Sequence, residues 1–146
     1  MTLLAGLLMA GALFESTAKP THFEVTATFT PALPNASGEV AIQFVAKDPD
    51  VKINEVPAPR LKLLAGPATV AAPVRPAAPA KGGPAAAGPG HYLDLTLPVT
   101  FPVTLAPGTP RGSHDAKGTV TYFYCSKREG WCRRGMAEVA FPITVP

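Results

Sequence analysis

Proline and glycine recur too often along this chain to leave room for a long helix. They account for 18 and 13 of its 146 residues. Inside a helix a proline removes a backbone donor and clashes with the preceding turn, and a glycine loses more freedom on folding than any other residue. The stretches between them carry a period of two. Residues 22–30 (HFEVTATFT) alternate Phe23, Val25, Ala27 and Phe29 with Glu24, Thr26 and Thr28, the pattern of a strand with one buried face. Pro31 and Pro34 are expected to end it. Residues 39–47 repeat the pattern through Val40, Ile42 and Phe44, and Asp48-Pro49-Asp50 supplies turn chemistry. Further strands are expected at 51–56, 60–65, 91–97, 99–105, 118–125 and 136–144, with Pro98 at an edge or a bend.

About seven or more short strands divided by turn signals predict an all-β fold, an immunoglobulin-like β-sandwich. The tract at 67–90 is different material, because Pro, Ala and Gly make up 19 of its 24 residues and it holds no aromatic and no carboxylate. Such a composition offers too little apolar surface to offset the entropy of ordering, so it is expected to be a flexible low-complexity loop, dispensable for folding.

Residues 2–14 (TLLAGLLMAGALF) carry no charge, and they are fewer than the roughly 20 residues that a membrane-spanning helix needs. Followed by Ser16 and Ala18, they read as a signal peptide over 1–18 with cleavage after Ala18. A buried N-terminal helix is the competing reading. Export leaves one domain at 19–146 with no stable membrane span, in a periplasmic or otherwise extracytoplasmic setting. An even pair of cysteines suits an oxidising compartment.

The net charge of +3 is too small to argue for a nucleic-acid partner, but its placement is informative. Lys127, Arg128, Arg133 and Arg134 face Glu129 alone between positions 125 and 134, so this short segment holds a net charge equal to that of the entire chain. It also holds both cysteines, Cys125 and Cys132, in TVTYFYCSKREGWCR (119–133), where a strand runs into Cys125, Glu129-Gly130 turns the chain, and Cys132 starts the return. Cysteines opposed across an antiparallel pair can be bonded. One consequence is a hairpin staple, worth about 2.5 kcal/mol for so short a loop in the chain-entropy model. The other is a redox-active pair, whose thiolate the neighbouring cations would favour. Tyr122, Phe123, Tyr124 and Trp131 then form an aromatic surface beside the sulfurs, suited to shielding them or to docking a partner.

Residues 94–103 (DLTLPVTFPV), 118–125 (GTVTYFYC), Cys132 and 139–145 (VAFPITV) resemble, in order, the second half of the N-terminal periplasmic domain of the thiol:disulfide interchange protein DsbD, and 51–63 (VKINEVPAPRLKL) is similar to the segment ahead of that family's loop. The resemblance implies that Cys125 and Cys132 accept electrons from a thioredoxin-like protein or a transmembrane thiol–disulfide reductase and pass them on. It implies no cofactor and a part in a protein-disulfide reductase system. The family's loop over the cysteines carries aromatic and acidic residues, and the matching tract here carries neither.

Other chemistries are poorly served. His22, His91 and His114 lack the spacing of zinc ligands. Met136 with the two cysteines would make a soft copper set, though a single methionine is more often core or rim. Asn35-Ala36-Ser37 matches a glycosylation sequon that matters only in a glycosylating host. No serine–histidine–acid set, phosphate loop or carboxylate pair points to a hydrolase.

Overall fold

In a computed structural model the described residues are 22–32, 37–70 and 91–146. Eight strands and no helix form from them: β1 (Phe23–Ala32), β2 (Ser37–Ala46), β3 (Val51–Ile53), β4 (Arg60–Ala65), β5 (Ala68–Val70), β6 (Val99–Leu105), β7 (Gly112–Ser126) and β8 (Trp131–Val145). The alternation that predicted them also divides them into two layers. One antiparallel sheet runs β1-β2-β6-β5; in the other, β3 and β4 pair with β7 along one edge while β8 pairs along the opposite edge. The chain is therefore the all-β sandwich expected from its sequence.

The core lies between the two sheets and is filled by the apolar positions of every strand, among them Phe23, Val40, Ile42, Phe101, Val120 and Ile143, all fully buried. Phe23, Phe44, Tyr122 and Tyr124 meet edge-to-face or tilted at one end of it, with ring centroids 5.2 to 6.5 Å apart. That geometry sets positive ring edges against negative faces.

Four expectations need correction. Pro31 does not end the first strand, which runs on to Ala32. The strand is at the edge of its sheet, where a missing N–H costs no ladder bond. Residues 91–97 are not a strand: only Tyr92 bridges to Asn54, after which Asp94 caps a turn by accepting from Thr96 N at 3.1 Å and from Leu97 N at 3.2 Å. Residues 51–56 shorten to β3, with Asn54 continuing it as that single bridge. Finally, the low-complexity tract is not wholly loop. Its Ala68–Val70 pairs with Leu105–Val103 as β5, Ala68 is buried, and Pro67 O accepts a bond from Ala106 N. Its residues 71–90, the leader, the cleavage site and Asn35-Ala36 of the sequon lie outside the described residues. Among the described residues no helix is long and apolar enough to cross a membrane.

Candidate functional site: a cross-strand disulfide at the tip of the longest hairpin

β7 and β8 are 15 residues each and pair from Gly112↔Val145 to Ser126↔Trp131, both extending well beyond the strands expected at 118–125 and 136–144. Residues 127–130 turn the chain. Gly130 has φ 72°, a left-handed conformation that a side chain would resist, and its N donates to Ser126 O at 3.0 Å.

Asp50, from the β2–β3 turn, pins this tip. It accepts from Ser126 Oγ and from Arg128 N, and Ser126 Oγ in turn accepts from Glu129 N at 3.1 Å. These bonds, the Ser126 hydroxyl first and the Arg128 amide and guanidinium after it, hold the Asp50 carboxyl below the usual carboxylate range, against a smaller upward push from burial. A carboxyl lowered on folding adds stability above its unfolded pKa and loses it as pH falls through the folded value. Acid is therefore expected to loosen the tip below about pH 4. Trp131 fluorescence should change in that range, and Asp50→Asn should abolish the transition. A transition that persists in the variant belongs to another group.

Cys125 and Cys132 are register partners joined by a disulfide, with Cα atoms 4.0 Å apart. Strand alternation places them on the outer face of the sheet, opposite to Tyr122 and Tyr124. The two sulfurs nevertheless have different surroundings. Cys125 is on a strand with neighbours on both sides and is 7% exposed, whereas Cys132 is on β8, which among the described residues pairs with β7 alone, and is exposed. On the β3 side, Lys52 is the register partner of Cys125, and Asn54 Oδ1 lies 3.3 Å from its Sγ. A reduced Cys125 would donate its S–H to that oxygen. With the amide turned over, the Asn54 N–H₂ would donate to a Cys125 thiolate.

The predicted site residues separate into two groups. Tyr122 and Tyr124 are 2% and 9% exposed, so they support the hairpin from beneath and offer no docking rim. Burial, with a lesser contribution from Tyr124, pushes the Tyr122 hydroxyl up to about 12. Trp131 is half-buried at the tip, its Nε1 donating to Glu129 Oε2 at 2.6 Å and its ring 5.7 Å from those of Tyr124 and His22. Arg133 stacks over Trp131 at 4.3 Å, on the face away from the disulfide. Arg128 lies 3.9 Å from both Asp50 and Glu129, and Lys127 Nζ is 5.2 Å from the centre of the Tyr92 ring. Only Arg134 shares the disulfide's face directly.

Lys52, Asn54 and Asp50 escaped sequence reasoning because they lie more than 70 positions from Cys125 and reach it only through the pairing of β3 with β7. Met136 shares the outer face with Cys132 but is four residues along the strand, about 13 Å away. The structure does not bring it to the sulfurs. His22 stacks at the tip, His91 O accepts from Glu55 N beside β3, and His114 Nε2 contacts Pro110 O at the far end of β7, so the three histidines stay apart.

Fold and site together define a two-sheet antiparallel sandwich that presents one cross-strand disulfide at one end, with one sulfur covered and the other open. Comparison with protein families, curated proteins and solved structures finds no match to this chain.

Proposed function

We propose that this protein is a thiol–disulfide exchange module in which Cys132 is the sulfur attacked. The observation that carries the reading is the asymmetry of the pair: a staple has no need of an open sulfur, whereas exchange requires one. A partner thiolate attacks Cys132 Sγ, the Sγ–Sγ bond breaks, and Cys125 leaves as a thiolate that the Lys52 and Arg134 charges favour. The partner's second thiol then attacks the mixed disulfide. This releases Cys132 as a thiolate and leaves the partner oxidised and the module reduced by two electrons. No cofactor enters the balance, and the reverse sequence passes the electrons on.

The resemblance to the N-terminal domain of DsbD supports this reading. It also points to an exported protein, cleaved after Ala18, whose electrons come from a thioredoxin-like or transmembrane thiol–disulfide reductase. The alternative is the staple, favoured by the pinned turn; the short separation of seven positions counts against it, because closing a small loop gains little. The reduction potential of the pair separates the two. Exchange predicts a value above about −300 mV, and a structural bond falls below it.

A further inference from the structure

We infer that the outer face of the β3/β4–β7–β8 sheet is the docking surface for an acidic protein partner, a thioredoxin-fold reductant whose reactive cysteine is bordered by carboxylates; the redox part of this inference rests on the exchange reading above. The register lays that face out in rows. Lys52, Cys125 and Cys132 form the first, Asn54, Phe123 and Arg134 the second, Arg60, Thr121 and Met136 the third, and Lys62, Thr119 and Glu138 the fourth; Lys117 follows. Lys52, Arg60, Lys62, Lys117 and Arg134 are all exposed, Glu138 and, one row past Lys117, Asp115 are the carboxylates on the strand positions of this face, and none of the five cations forms a salt bridge among the described residues.

The outer face of the other sheet is the opposite case. Its strand positions carry Glu24 and Glu39 among threonines and no lysine or arginine. The two faces of the sandwich therefore differ in sign, and the disulfide is on the cationic one. That face also holds an apolar centre, half-buried Phe123 beside Met136 at 54% exposure. An apolar centre rimmed by charge suits a protein surface. Complementary charge raises encounter rates by tenfold or more at low salt.

Lys62 and Lys117 make the test selective. Their rows begin six residues along β7 from Cys125, about 20 Å away, which is about two Debye lengths at physiological salt. Reversing both charges (Lys62→Glu with Lys117→Glu) should leave the Cys125 thiolate untouched at physiological salt. At about 0.01 M the Debye length grows to about 30 Å, so there the rate with dithiothreitol measures any effect on the thiolate, and docking is read from the ratio of the rate with a protein reductant to the rate with dithiothreitol. With an acidic-rimmed thioredoxin-fold reductant, we expect exchange to slow about tenfold at low ionic strength and to converge with wild type in high salt. At physiological salt the rate with dithiothreitol should be unchanged. Wild type alone should react faster with the acidic reductant as salt is lowered, and slower with a basic-rimmed one. Titration calorimetry with the acidic reductant, its cysteines replaced by serine, reads the surface without the chemistry. Weaker binding by the double variant supports the inference even if no exchange is seen, in which case only the redox reading falls. Equal binding by variant and wild type, or a salt-independent rate, overturns it. Retention on phosphatidylglycerol vesicles that is lost in the variant, with exchange unaffected, also overturns it and makes the face a membrane-binding one.

Discussion

A Cys125→Ser variant is expected to be captured as a mixed disulfide by a thioredoxin-fold protein that lacks its resolving cysteine and carries thionitrobenzoate on the remaining one, the variant's thiolate attacking the partner's sulfur and thionitrobenzoate leaving, while Cys132→Ser is captured at least about tenfold more slowly. The first variant keeps the exposed Cys132, on the strand that among the described residues pairs with β7 alone. The second keeps Cys125, which is 7% exposed, walled by β3 and touched by Asn54. Exchange requires the two sulfurs to come into contact, and of the two cysteines Cys132 is exposed whereas Cys125 is buried. Mass spectrometry of the trapped adducts, with rates taken from a quenched time course, makes the comparison. Equal capture of the two variants would remove the asymmetry on which the exchange reading stands. Faster capture through Cys125 would reverse the assignment of the attacked sulfur. Asn54→Ala adds a further check: if Asn54 steadies the Cys125 thiolate, its loss should slow the first step without changing capture at Cys132.

Tyr122→Ala is expected to be the most damaging single change to the fold, costing about 3–5 kcal/mol by the loss of buried area and the cavity left behind. The Tyr122 ring packs at 5.7 Å from Phe23, 5.2 Å from Phe44 and 5.7 Å from Tyr124, tying together β1, β2 and β7. Across the hairpin it lies against Gly135, where even a Cβ would come within 2.5 Å of the ring. No other residue type fits opposite without moving that ring, so Gly135→Ala is expected to cost about 1–3 kcal/mol by overpacking. Tyr122→Phe should cost less than about 1.5 kcal/mol, because it keeps the ring and its volume. Urea unfolding of the three variants gives the order. A cost below 1 kcal/mol for Tyr122→Ala, on the order of a surface substitution, would mean that the aromatic cluster does not hold the hairpin to the core.

Much of this architecture was legible as local pattern. Arg60–Ala65 and Val99–Leu105 form where period-two alternation between prolines and glycines placed them, because both strands bury one face and are bounded by residues that break pairing. Residues 91–97 misled for a physical reason: Tyr92, Leu93 and Leu95 alternate as a strand does, but Asp94 competes for the backbone through its side chain and makes a turn. Ala68–Val70 was hidden because Ala and Thr within a Pro/Ala/Gly tract carry no hydrophobic signal, and only the free edge of β6 recruits them.

The sequence by itself determined the all-β class, most of the strands, the segment holding the cysteines and its concentration of positive charge, since each depends on residues close together in the chain. Tertiary structure alone decided which sulfur is covered, because burial of Cys125 depends on β3, more than 70 positions earlier, pairing with β7. It also decided the sides. Strand parity sends Tyr122, Tyr124 and Arg133 away from the disulfide, and antiparallel register brings Lys52, Arg60, Lys62 and Lys117 onto the face that carries it. A two-residue period fixes which residues share a face, but only pairing fixes which strands share a sheet.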